Sequence, residues 1–113
     1  MRDPRQEKLA RILAGYSAEV KKGDVVMVDW ADGTPLEFVR EVQTACLERG
    51  AKYVRLSYSH SDLVVNFFRR AGREQLGYFP QHELDFMKSA DAYIGIGSPL
   101  NSQALAAVPA RVL

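Results

Sequence analysis

Val25-Val26-Met27-Val28 is a continuous apolar run in which the three valines are β-branched. Such a run is typical of a parallel strand that is covered on both faces. Just before it, Lys22-Gly23 predicts the end of a helix, because glycine can adopt the left-handed conformation of a helix C-cap. The sequence therefore predicts a short central strand that follows a helix.

The helices on either side of this strand are predicted from caps and periodicity. Asp3-Pro4 is typical of a helix start, because Asp caps a helix and Pro is tolerated in the first turn. Apolar residues then recur at spacings of three and four, which predicts one buried stripe: Leu9, Ile12, Leu13, Tyr16 and Val20. Thr34 and Glu37 have the spacing of a capping box and predict a second helix that ends at Gly50.

Two more apolar segments complete the predicted sheet. Tyr53–Ser57 alternates, which predicts a strand with one face less completely covered, and Ala92–Gly97 is predicted to be buried. Right-handed crossovers place the first strand, Val25–Asp29, between the other two. The fold class is α/β: a three-layer, Rossmann-like parallel sheet of at least three strands, with helices on both faces.

The segments around the last strand carry weaker helix signals. A third helix, capped by Ser59 or Ser61, is expected to end near Gly72, and Phe79-Pro80 predicts the start of a fourth. A final helix is predicted to start between Ser98 and Asn101 and to stop at Pro109. We expect Leu105–Leu113 to expose apolar side chains, because no later element follows to bury them.

Composition limits the classes of partner. The chain of 113 residues is long enough for one domain. Its 15 Lys and Arg against 14 Asp and Glu give a net charge of +1, which would not attract nucleic acid or an anionic membrane. The charged first residues lack the apolar core of a signal peptide, and Cys46 is the only cysteine, so a cytoplasmic location is expected.

Two patterns could suggest chemistry, and we assign a site to neither. One set has the residue types of a zinc site but not the spacing of ligands on one helix face: His60, Asp62, His82, Glu83 and Asp85. Gly95-Ile96-Gly97 lacks the third glycine of a dinucleotide fingerprint, whose place Leu100 takes. We therefore predict no catalytic and no metal-binding residue in the chain.

Three residues are candidates for a ligand edge or a domain interface: Trp30, Asp32 and Asn101. Trp30 follows the apolar part of the first strand, and open α/β sheets bind ligands beyond the carboxyl ends of their strands. For Trp30 we favour the core or a domain interface over ligand contact.

Several segments, taken in order, resemble one family: Arg5 to Ser17, Val20 to Val26, Leu36 to Gly50, Gly50 to Ser59, and Leu84 to Ile94. Together they resemble the N-terminal domain of the thermophilic-type metallo-aminopeptidases, the aminopeptidase T and aminopeptidase S family. The similarity spans nearly the whole chain and depends on the order and spacing of its segments.

This resemblance implies that residues 1–113 form the non-catalytic N-terminal α/β domain of a longer, two-domain aminopeptidase. The family removes N-terminal residues from peptides with two divalent metal ions (zinc, cobalt or manganese), which a later domain binds. The implied partners are that C-terminal catalytic domain, a second subunit in a homodimer and a peptide substrate. Neither nucleic acid nor a membrane is expected, and the isolated chain should be inactive.

Two alternatives remain open from the residues alone. The chain could be a stand-alone, Rossmann-like module that binds a nucleotide or metabolite at the carboxyl edge of its sheet. It could also be a structural subunit that pairs with a separate catalytic chain.

Overall fold

The computed structural model describes residues 3–98 and 101–109. Helices and strands alternate along most of the chain, and a π-helical turn at Leu13–Ser17 follows the first helix. The elements are α1 (Pro4–Ile12), β1 (Val25–Ala31), α2 (Leu36–Glu48), β2 (Tyr53–Ser59), α3 (Ser61–Arg70), α4 (Arg73–Gly77), α5 (Gln81–Ser89), β3 (Ala92–Ser98) and β4 (Asn101–Pro109). Within the described residues, no helix is both long and apolar enough to span a bilayer.

The sheet has the strand order β2-β1-β3-β4, and β1 is parallel to both of its neighbours. Val26 of β1, for example, pairs with Val54 on one side and with Ala92 on the other. The prediction of three parallel strands with the first in the centre is confirmed. Each strand extends one or two residues beyond its predicted end.

One face of the sheet carries the hydrophobic core. Val26 and Val28 of β1 and Ile94 of β3 are fully buried there, against Leu13 and Val42 from the helical layer formed by α1, the π-helical turn and α2. A fully buried side chain of this size contributes roughly 1.5–3 kcal/mol. This face therefore provides most of the stability of the fold.

The opposite face is covered more loosely, by α5, and none of α3, α4 and α5 has a buried residue. Contact with the sheet is made by the rings of Tyr53 and Phe86, whose centroids are 6.3 Å apart. An ion pair between Arg55 of β2 and Glu83 of α5 adds a second link. Helices thus lie on both faces, as predicted, but only one layer is tightly packed.

The prediction of a final helix is wrong, because residues 101–109 form a strand. β4 runs antiparallel to β3, with Ile94 opposite Ala107 and Ala92 opposite Pro109. Pro109 would have limited a helix to about two turns, whereas a strand satisfies the backbone groups along the edge of β3. The predicted apolar tail beyond Pro109 lies outside the described residues, as do the side chains of Leu105 and Val108.

The predicted apolar stripe of α1 is only partly right. The helix is capped by Asp3 as predicted, with its carboxylate accepting the Arg5 N–H at 2.9 Å. Leu13 is buried, but Tyr16 is 84% exposed. Leu9 and Ile12, which precede the π-helical turn at Leu13–Ser17, are exposed as well, so the buried face is displaced from the predicted stripe of large residues. The small side chains of Ala10, Ala14 and Ala18 are buried instead.

Two predicted helix caps are also wrong. α2 begins after Pro35 without a side-chain cap, and the Thr34 N–H donates to the Ala31 carbonyl in the preceding turn. α3 is capped by His60 rather than by Ser59 or Ser61: its Nδ1 accepts the Asp62 N–H. In both places the path of the connecting loop, which local spacing does not encode, determines the cap.

Candidate functional site

Trp30 lies at the carboxyl end of β1, where the sheet meets the start of α3. It is half-buried and packs against the core, and its ring centroid is 4.5 Å from that of Tyr58 on the neighbouring strand. The two residues are paired in the register of β1 and β2. Trp30 thus joins the core to an exposed aromatic surface at this edge.

The Asp32 carboxylate links the end of β1 to the start of α3 by hydrogen bonds. Its two carboxylate oxygens accept the backbone N–H and the hydroxyl of Ser61, each at 2.7 Å. The Ser61 hydroxyl, followed by its N–H, lowers the pKa of Asp32 from the ordinary value. The Asp32 carboxylate therefore has a positioning role in the fold.

Asn101, the third predicted candidate, begins β4 and is paired in register with Ser98. Its side chain is outside the described residues. The structure thus brings Trp30 and Asp32 to one edge of the sheet.

The set of histidines and carboxylates considered from the sequence is divided between separate contacts. His60 caps α3, Glu83 binds Arg55, and Asp85 accepts a hydrogen bond from Gln81 at 2.9 Å. Over residues 3–98 and 101–109, no group of three or more His, Cys, Asp or Glu side chains could hold a metal ion. The donors in this part of the chain do not fit a two-metal centre.

A polar cluster that sequence reasoning missed lies on the loosely covered face, beneath α5. The Tyr93 hydroxyl on β3 donates to the Asp29 carboxylate on β1. Arg55 on β2 donates through Nη1 to Glu83 Oε2 at 3.0 Å and through Nη2 to Oε1, and its Cζ lies 4.7 Å above the ring centroid of Phe86. Each sheet member is a polar residue inside a largely apolar strand, a signal that the sequence does contain.

Burial controls the protonation of this cluster. It raises the pKa of Asp29, while the charge of Arg55 and the Tyr93 hydroxyl act in the opposite direction. Burial and the nearby Asp29 carboxylate raise the pKa of Tyr93, which keeps its hydroxyl protonated near neutral pH. Glu83 differs: its hydrogen bonds to Arg55 lower its pKa.

Gly95 makes room for the Tyr93 ring. A Cβ at Gly95 would lie 2.6 Å from the Tyr93 oxygen. The absence of a side chain at this position therefore reflects the close approach of Tyr93, not of a ligand phosphate.

A cleft of about 450 Å³ adjoins the cluster, between α5 and the sheet. Met27, Phe79 and Met87 supply apolar walls, and Asp29, Glu83 and Tyr93 supply polar groups. Arg55 provides one positive charge beside the two carboxylates of Asp29 and Glu83, so this side of the cleft is acidic overall. The cleft can accommodate a small apolar group with a positive charge.

The single cysteine is not a nucleophile. Cys46 is fully buried in α2, and burial raises the pKa of its thiol to about 11. A thiol in this environment stays protonated and fills space in the core.

Comparison with known proteins finds a similar solved structure and a matching family model. A wild-type AmpT structure from Thermus thermophilus has the same fold, with a TM-score of 0.60 and 23% sequence identity. The match covers 73% of this chain and 20% of the AmpT chain. No curated protein matches. The model of the thermophilic metalloprotease (M29) family matches residues 2–113, and the chain therefore belongs to that family.

Proposed function

We propose that residues 1–113 are the non-catalytic N-terminal α/β domain of a longer, metal-dependent aminopeptidase that removes N-terminal residues from peptides. The observation that carries this proposal is the family match over residues 2–113 of a chain that spans 20% of the AmpT chain. The M29 family is metal-dependent, and the described residues hold no group of metal donors. Two divalent ions (zinc, cobalt or manganese) would then be bound by residues outside this chain.

In this proposal the domain has a supporting role. It would help to enclose the catalytic cavity and would take part in a homodimer in the cytoplasm, with a C-terminal catalytic domain as its main partner. The tightly packed α1–α2 layer gives it a rigid core, which suits a domain that positions another one.

Metal analysis and an activity assay test this proposal together. The isolated chain and the longer polypeptide are dialysed, analysed for metal, and assayed on an aminoacyl-anilide with added cobalt, zinc or manganese. We expect turnover and two bound ions in the longer polypeptide, and neither in the isolated chain. Stoichiometric metal with turnover in the isolated chain would refute the proposal.

A second candidate, a stand-alone ligand-binding module, is supported by the cleft beneath α5. Its volume of about 450 Å³ is in the range of small-molecule sites, roughly 300–1,000 Å³. A thermal-shift screen of the isolated chain with nucleotides and small organic cations tests it. A saturable rise in Tm that Asp29→Asn abolishes would favour this candidate over the aminopeptidase domain.

A further inference from the structure

An apolar groove runs along the carboxyl ends of β1 and β2 and one side of α3. The α3 groove, as we call it, has a volume of about 340 Å³ and is lined by Tyr58, Ser59, His60, Leu63, Val64 and Phe67. The ring contact between Tyr58 and Trp30 extends this surface to β1. At the other end, the Phe67 and Phe68 ring centroids are 5.8 Å apart.

The helix that forms this groove is amphipathic, but the described residues do not cover its apolar side. Leu63 is 68% exposed, Phe67 is 48% exposed, and no residue of α3 is buried. Exposing a continuous surface of aromatic and aliphatic side chains of this size to water is unfavourable in free energy. An apolar surface of this kind on a soluble domain is typical of an interface.

The rest of the molecule indicates what covers it. The core beside Trp30 is already closed by α1 and α2 of the same chain. The chain spans 20% of the AmpT chain, so a longer M29 polypeptide would contain much more protein than these residues. The residues that line the groove include no Asp, Glu, Lys or Arg, and the Nδ1 of His60 already accepts the Asp62 N–H. It therefore suits an apolar segment better than a charged one.

We propose that the α3 groove is the surface on which the remaining part of the M29 polypeptide docks, through an apolar segment that covers Tyr58, Leu63 and Phe67. This inference rests on the proposed function, because it requires the longer polypeptide. Trp30 then lies where the core of this domain meets that interface.

Thiol labelling tests the docking surface without relying on activity. Phe67→Cys places a thiol in the groove. Arg69→Cys, two residues further on, places one on the opposite side of the same helix and is the matched control. Cys46 contributes little background, because it is buried and its pKa is raised to about 11. Both variants are treated with a maleimide in the isolated chain at low concentration and in the longer polypeptide.

We expect both thiols to react rapidly in the isolated chain. In the longer polypeptide, the labelling rate of Phe67→Cys should fall by roughly tenfold or more, because the thiol becomes accessible only when the interface opens locally. The labelling rate of Arg69→Cys should not change. Equal rates at position 67 in the two proteins would overturn the inference. Protection that disappears on dilution of the longer polypeptide would also overturn it, because a second copy would then be the occupant.

The labelling and the enzyme assay can fail independently. Protection at position 67 in a longer polypeptide without aminopeptidase activity would support the docking surface and refute the proposed function. An active, metal-loaded polypeptide without that protection would do the reverse.

Discussion

At the scale of single residues, the polar cluster beneath α5 contains two carboxylates with opposite behaviour. Asp29 loses hydration through burial, so its pKa is raised, whereas Glu83 has its pKa lowered by hydrogen bonds to Arg55. Ionisation of Asp29 therefore opposes folding, and ionisation of Glu83 favours it. The two side chains should give the fold opposite dependences on pH.

This contrast can be measured with Asp29→Asn and Glu83→Gln. As the pH rises above 3.8, the ordinary pKa of Asp29, unfolded wild-type chains ionise more readily than folded ones, and the wild type should lose stability relative to Asp29→Asn. For Glu83, the wild type should gain stability relative to Glu83→Gln as the pH rises towards 4.5, the ordinary pKa of Glu83. Urea unfolding of the three proteins between about pH 3 and pH 7 gives both differences. Differences that do not change with pH would contradict the assignment.

At the scale of elements, the first helix faces the core with a different side from the one predicted. Leu13 is buried and Tyr16 is in water, although the predicted stripe of large apolar residues contained both. Small residues then replace large ones at the contact with α2, so the two helices can lie close together. The buried face of this element is formed mainly by its small residues, not by the stripe of its large apolar residues.

Alanine substitutions at Leu13 and Tyr16 test which side of the first helix is buried. Leu13→Ala should lower the free energy of unfolding by about 2–5 kcal/mol, because it leaves a cavity in the core. Tyr16→Ala should change it by less than about 0.5 kcal/mol, as expected at an exposed position. Denaturant unfolding of both variants provides the comparison. A larger loss for Tyr16→Ala than for Leu13→Ala would favour the stripe predicted from the sequence.

At the scale of the whole molecule, the two faces of the sheet differ in how completely they are covered. The radius of gyration is 14.9 Å, against about 13 Å for a compact domain of this size. The excess agrees with a loosely attached α3–α5 layer. An exposed apolar surface lies on α3. The apolar side chains that the sequence analysis expected to be exposed at Leu105–Leu113 lie outside the described residues.

We expect the isolated chain to self-associate at high concentration through the α3 groove, because nothing else in the sample can cover it. Sedimentation velocity over a range of concentrations should give a larger species that dissociates on dilution. Phe67→Gln should shift this equilibrium towards monomer. Tyr16→Gln, which changes a more exposed aromatic residue on the first helical layer, should not. A wild-type chain that stays monomeric throughout would contradict the expectation.

The sequence by itself determined the parallel strands, their order, the helices between them and the resemblance to a metallo-aminopeptidase family. These features follow from local runs and periods such as Val25-Val26-Met27-Val28, together with the handedness of crossovers. Tertiary structure decided the rest. The cluster of Asp29, Arg55 and Tyr93 depends on the register of the three strands. The exposure of Phe67 depends on whether another part of the chain packs against α3. Both properties arise from contacts between residues distant in the chain, which local patterns do not specify.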